Sequence, residues 1–345
     1  MSNTVPPKLG TNPLLLTAAF IIIIAGLRAA TSIIIPFLLA IFIAIICLPP
    51  LRFLQGKKIP NVLAVIIVIL SFLFIGFLLI LIFESSLGDF SSALPFYQER
   101  LNQLTNDVVQ LLQPITNESA EQIFNEHVNP SVLMQLIANS LSSIGAVLTN
   151  SVLILLTVLF ILLEASGLPY KIKQAFSTSK DSLVSLENFI KSVNKYLGLK
   201  TIISFFTGVC VYIFLNIFGI DFPILWALIA GIMNFIPNIG SIIAAIPAVL
   251  VALIQFGPGT ALIIIAGYII INMVFGNFIE PRLMGKKLGL STLVVFISLV
   301  FWGWVFGPVG MLLSVPLTMI LKIALEGHAS TEHWAVLLGP SKTNI

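Results

Sequence analysis

Asn234-Phe-Ile-Pro-Asn-Ile-Gly-Ser241, running on into Ile242-Ile-Ala-Ala-Ile-Pro247, is the stretch whose reading decides the fold. It lies within 58 residues, from Phe222 to Ile279, that contain no Asp, Glu, Lys or Arg and are bounded by Asp221 and by Glu280-Pro281. As helix, at about 1.5 Å per residue, such a run covers about 87 Å, nearly three crossings of a ~30 Å hydrocarbon core. A soluble core has no use for that length. Pro237 lacks an amide hydrogen and Gly240 weakens helix, so the run cannot be one rod. Backbone groups freed at membrane depth survive only against protein or a wet cavity. Broken helices carrying Asn side chains are where secondary transporters hold their solutes. The plainer alternative is an ordinary helix–helix turn near a membrane surface.

Composition extends this reading to the whole chain. The 345 residues are 58% hydrophobic and 9% charged, against roughly 25% charged in soluble domains. The expected class is an all-α, multi-pass membrane protein of about ten transmembrane helices, some broken or re-entrant, with amphipathic connecting helices on both sides. Seventeen basic and fourteen acidic residues give a net charge of +3, too balanced for a nucleic-acid partner. Cys47 and Cys210 sit in apolar runs and read as buried thiols, not a disulfide framework. Lys8 precedes an apolar run from Leu14 without a clear small-x-small cleavage site, so an uncleaved first span is expected.

Charged residues are costly at a bilayer centre, so the gaps between charges locate the spans. Ten crossings are predicted, at about 13–27, 31–49, 60–83, 140–163, 199–218, 222–236, 241–256, 260–279, 289–306 and 308–325. Several are short, and 222–256 and 289–325 read equally well as re-entrant hairpins. The corresponding parts are N-terminal transmembrane helices (1–83), an extracytoplasmic amphipathic segment (84–139), a transmembrane helix (140–170), a cytoplasmic amphipathic helix (171–198), a C-terminal transport core (199–326) and a cytoplasmic tail (327–345).

Loop charges agree with that sidedness. Arg52, Lys57 and Lys58 follow the second crossing, six lysines fall in 171–200, and Arg282, Lys286 and Lys287 follow the eighth. Residues 84–127 carry seven acids and only Arg100. Lysine and arginine favour cytoplasmic loops, which puts both termini inside. In the outer segment Leu94, Tyr97, Leu101, Leu104, Val108 and Leu111 recur at helical spacing and predict one apolar face against the membrane or its neighbours. Leu183, Leu186, Ile190, Val193 and Leu197 do the same in the basic inner segment. Residues 236–247 are echoed at 307–316, each with Pro-x-x-Gly or Pro-x-Gly, an apolar run and a second Pro. Opposite orientations of the two would suit an inverted repeat.

The candidate solute pathway consists of Asn234, Pro237, Asn238, Gly240 and Ser241 at the break, with Asn272 and Asn277 in the eighth crossing. Glu280, Pro281 and Arg282 form a possible gate, or mark the interface. Neutral amides and hydroxyls can bind a small polar solute without placing a permanent charge in low dielectric. The alternative role for each Asn is interhelical glue, at about 0.6 kcal/mol on average. No acid falls at the centre of a predicted span, which argues against cation/proton exchange. Gly56-Lys57 and Gly285-Lys286 lack the rest of a phosphate loop, and His127, His328 and His333 have no ligand spacing. No catalytic residue, metal site or cofactor is expected, and the chain does not read as an enzyme.

These residues resemble the autoinducer-2 exporter family of bacterial membrane proteins over almost the whole chain. The likeness is carried by Phe235-Ile-Pro-Asn-Ile-Gly-Ser241 with Ala244-Ala-Ile-Pro247, Val274-Phe-Gly-Asn277 with Glu280-Pro-Arg282 and Met284-Gly285, Leu288-Gly-Leu-Ser-Thr-Leu-Val-Val295, and Phe301-Trp-Gly-Trp304 with Gly307-Pro-Val-Gly-Met-Leu-Leu-Ser-Val-Pro316. It is weakest over 84–130. The resemblance implies export of autoinducer-2, a small hydroxylated signal used in quorum sensing, across the bacterial inner membrane. It further implies a homopentamer of ten-helix subunits with an elevator-like mobile part. Some relatives of this family are described as sodium(lithium)/proton antiporters, and a non-transporting scaffold is the third possibility. On the leading reading, Asn238→Ala lowers signal efflux without lowering the amount of protein in the membrane. Unchanged efflux would remove Asn238 from the pathway.

Overall fold

The computed structural model describes residues 13–112, 151–165, 180–237, 239–284, 290–326 and 331–339, with the single positions 167, 171 and 174. Asn238, the far part of the outer segment, the start of the fourth crossing and Lys286-Lys287 therefore lie outside the described residues. The described chain is helical, as lipid demands of a backbone that must satisfy its own hydrogen bonds. In order the helices are α1 (Pro13–Ala29), α2 (Thr31–Gly56), α3 (Asn61–Leu112), α4 (Ser151–Ala165), α5 (Lys180–Ile217), α6 (Pro223–Met233), α7 (Gly240–Phe256) and α8 (Pro258–Asn272). A π-helical segment, Met273–Ile279, leads into α9 (Glu280–Met284), then α10 (Thr292–Leu312), α11 (Ser314–Glu326) and α12 (Glu332–Leu337).

Among the described residues five helical stretches are long and apolar enough to cross a membrane: Thr31–Gly56, Asn61–Leu101, Lys191–Ile217, Pro258–Leu283 and Thr292–Leu312. Shorter apolar helices cover Thr17–Ala29, Val152–Ala165, Pro223–Met233 and Gly240–Phe256. Two predicted boundaries are absent. The third crossing and the described part of the outer amphipathic segment, up to Leu112, form one 52-residue helix, α3, with Pro95 inside it. The inner basic segment likewise continues into the fifth crossing as α5. Charge changes sharply along both, but no residue there stops a helix except Pro95, whose single lost hydrogen bond is tolerated. Tyr97 and Leu101 of the predicted outer stripe are buried, and Leu94 packs partly buried against the same cluster, so this part of the face is covered by protein; the side chains of Leu104, Val108 and Leu111 lie outside the described ones.

The chain divides into two compact units, Ala44–Gly289 and Met1–Ile43 with Leu290–Ile345. The core of the first surrounds Trp226, which is fully buried with Phe90, Leu215 and Leu225. The Phe90 ring meets Trp226 edge-on at 5.3 Å. Asp221 ties this core together. Its Oδ2 accepts from the Tyr97 hydroxyl at 2.5 Å, its carbonyl from Trp226 Nε1 at 2.8 Å, and its amide donates to Gln255 Oε1 at 3.1 Å. The last of these brings the end of α7 back beside the start of α6, so α6, the break and α7 form a hairpin. Phe222, at φ 57, enters α6 in the left-handed region, a strain of about 1–3 kcal/mol. Pro223 then supplies a first-turn residue with no amide left unpaired.

Helices α5 and α6 cross with almost no side chain between them. A Cβ on Gly208 would stand 3.0 Å from the Ala227 carbonyl oxygen, and one on Gly231 3.3 Å from that of Ser204. In the other unit, α10 is capped by the Ser291 hydroxyl, which accepts from the Val294 amide at 3.2 Å, and kinks at Gly307 (φ 65) before Pro308. Trp302 Nε1 donates to Thr318 Oγ1 at 2.9 Å and joins α10 to α11. Gly303, the first of the closely spaced pair Gly303 and Gly307, faces Met311 of its own helix, where a Cβ would meet Met311 Cγ at 2.7 Å. The echoed motifs share a local geometry. Gly240 presses on the carbonyl of Met233 and Gly310 on that of Trp302, in each case leaving no space for a Cβ.

Trp226→Ala empties the centre of the Ala44–Gly289 unit and should cost about 3 to 5 kcal/mol. Thermal unfolding of the detergent-purified protein checks this. A loss below about 1 kcal/mol would mean that the core lies elsewhere.

Candidate functional site

Three of the predicted positions meet residues that the sequence reading passed over. At the end of α6, Asn234 is 7% exposed and its Nδ2 donates to Ser204 Oγ of α5 at 3.0 Å. The Asn234 amide still completes the helix by bonding to the Ala230 carbonyl at 2.9 Å. Tighter turns then carry the break: Phe235 to Ile232 at 3.2 Å, Ile236 to Met233 at 2.8 Å and Ile239 to Pro237 at 2.7 Å. Helix α7 starts at Gly240 with no side chain capping it. Only glycine fits there, because a Cβ would occupy the position of the Met233 carbonyl. Ser241 and Pro237 are half-buried.

The second half of the site comes from α8. Because α7 and α8 are joined through Gly257 and pack against each other, the C-terminal end of α8 returns to the level of the break. There the helix widens into the π-helical segment, a deviation frequent at functional sites. Asn272 is half-buried and its Oδ1 reaches toward Gly276, 3.2 Å from where a Cβ would stand. Asn277, Pro281 and Arg282 are exposed. The Arg282 guanidinium lies 5.5 Å from the centre of the Phe278 ring.

Glu280, which the sequence paired with Arg282 as a possible gate, is held by Lys200. The Lys200 Nζ donates to Glu280 Oε1 at 2.9 Å and Oε2 at 2.7 Å. The lysine side chain is 3% exposed and the glutamate 20%. Two charges withdrawn from water to this degree are stable only together, because removing either leaves the other uncompensated. The pair clamps α5 to the end of the π-helical segment.

Lys200 and Ser204 are one turn apart on α5, so a single helix face binds both Glu280 and Asn234. The signal was present in the sequence as Lys200-x-x-x-Ser204-x-x-Thr207-Gly208, polar and small residues at helical spacing in an apolar run. It was missed because Lys200 reads as the charge that ends a span. Beside this face a cavity of about 440 Å³ opens between α5 and α6, lined by Thr201, Ser204, Gly208, Ala227, Gly231 and Phe235 among others. Its walls are mainly apolar, with Ser204 as the link to the Asn234 amide. Among the described residues no group of three or more His, Cys, Asp or Glu is placed to hold a metal ion.

A chain of long apolar helices with this sequence has relatives among known proteins. The family model described as "AI-2E family transporter" matches residues 17–329. The chain belongs to this AI-2E family. It is 41% identical over 329 residues to the AI-2 transport protein TqsA of Escherichia coli (strain K12), covering 95% of this chain and 96% of TqsA. A Haemophilus influenzae protein named "Putative transport protein" is 42% identical over 330 residues, covering 93% of this chain and 94% of its own. "Putative transport protein YhhT" of Escherichia coli (strain K12) is 33% identical over 342 residues, 99% of this chain and 98% of that protein. Membership makes this AI-2E chain a membrane transporter, and the site is read in that light.

Lys200→Met strands the Glu280 carboxylate and should lower stability by about 3 kcal/mol. Lys200→Met combined with Glu280→Leu should recover most of that loss. Unfolding of the purified variants measures both, and a double variant no more stable than the single would show that the two charges are not energetically coupled.

Proposed function

We propose that this AI-2E transporter exports autoinducer-2, a small neutral hydroxylated solute, from the cytoplasm by a secondary mechanism without ATP. The observation that carries the reading is the Asn234–Ser204 hydrogen bond: two neutral groups that both donate and accept, buried where α6 breaks. Such groups can exchange their mutual bond for bonds to a polyhydroxylated solute at little net cost. The 41% identity with TqsA over most of both chains supports the choice of solute.

In this reading the pathway runs past Asn234, Pro237, Asn238, Gly240 and Ser241 and along Asn272 and Asn277. Glu280 acts as the gate with Lys200 as its partner, and Pro281 and Arg282 form its rim. Helix α6 has 11 residues, about 17 Å, which is too short for a ~30 Å core. Its return through α7 favours the re-entrant version of 222–256. An elevator-like displacement requires attachments that can be remade, and α5 offers two of them, at Ser204 and Lys200. The inner membrane with both termini cytoplasmic, and assembly as a homopentamer, complete the proposal.

One observation favours a second reading, sodium(lithium)/proton antiport. Glu280 is a partly buried acid within the apolar stretch Pro258–Leu283, and an ionisable carboxylate in such a stretch is what ion exchange requires. Labelled autoinducer-2 should enter proteoliposomes containing the purified protein and not empty ones, and the dependence on imposed ion gradients identifies the coupling. Sodium-dependent proton flux that disappears in Glu280→Gln, with no flux of the signal, would replace export by antiport. A protein that moves neither would be a scaffold.

A further inference from the structure

Among the described residues, several buried aromatic side chains have partners for their polar tips, and the hydroxyl of Tyr268 has none. The Tyr97 hydroxyl and the Trp226 indole both bond to Asp221, and Trp302 bonds to Thr318. Tyr268 of α8 is 6% exposed and belongs to the same buried cluster as Trp226, Ala244 and Ala248. Its hydroxyl is completely buried and has no hydrogen-bond partner among the described residues.

An unpaired buried hydroxyl is a standing cost to the fold, of the size of the desolvation that folding imposed on it. Phenylalanine would fill the same space without that cost. The ring itself is well fixed, because neighbouring Gly267 receives the Phe214 ring directly on its backbone and holds α8 against α5. Tyr268 also lies four residues before Asn272, and positions four apart share one face of a helix. That face leads directly into the π-helical segment and toward the level of the break.

We propose that the Tyr268 hydroxyl is a solute-binding group, donating to an oxygen of the transported hydroxylated compound beside Asn272. The inference rests on the export reading and adds a specificity-determining residue to it. A compound carrying an accepting oxygen gains the bond, and one lacking it leaves the hydroxyl as poorly placed as before. The same group thus lowers the stability of the empty protein and raises the affinity of the occupied one.

Tyr268→Phe removes one oxygen atom and leaves the ring. Thermal unfolding without solute and autoinducer-2 flux in proteoliposomes are measured on the variant and on the unaltered protein. The expected result is an unfolding temperature equal to or above that of the parent, together with flux lowered roughly 2- to 10-fold, the factor for one lost neutral hydrogen bond. Flux equal to the parent's would overturn the proposal. A lowered unfolding temperature would also overturn it, by showing that the hydroxyl has a structural partner. If the unaltered protein moves no autoinducer-2, the export reading itself fails and this inference with it, an outcome read before any variant is compared.

Discussion

Lys200 and Glu280 are held together away from water, and the arrangement of the polar elements depends on that bond. Alone in lipid, each charge would be expelled toward the interface or would neutralise. Together they fix the end of the π-helical segment against α5, and α5 in turn presents Ser204 to the Asn234 amide. The break in α6, the widening of α8 and the unsupported N-terminus of α7 would otherwise be three separate faults in one apolar bundle. Fastened to one helix, they are brought to one place.

The opposite end of the same unit is built by different means. There Asp221 accepts from Tyr97 and Trp226, and Phe222 is forced through a left-handed conformation under the Phe90 and Tyr97 rings. This end is dense, aromatic and strained. The end with the break is built from tight turns and the neutral Asn234–Ser204 hydrogen bond.

Much of this was legible in the sequence. The missing charges from Phe222 to Ile279, with Pro237 and Gly240 among them, required a broken apolar segment, and the break falls where those residues stand. Asn234 was legible because an amide in such a run has few uses. Lys200 was not, since a lone lysine at the edge of an apolar run looks the same whether it faces headgroups or a carboxylate 80 positions away. The fusion of connecting segments into α3 and α5 was hidden for a related reason. Charge reports where lipid ends, but a helix continues until its backbone meets something that stops it. Tyr268 was invisible because only packing distinguishes a satisfied hydroxyl from an unsatisfied one.

The crossing of α5 and α6 at Gly208 and Gly231 has a mechanical consequence. Helices usually interlock through ridges of side chains, and sliding one past the other means lifting those ridges out of their grooves. At these two glycines the contact is instead main chain against main chain, while side chains join the helices on either side of them. Bulk added at either glycine would press on the facing backbone and force the two helices apart along this seam.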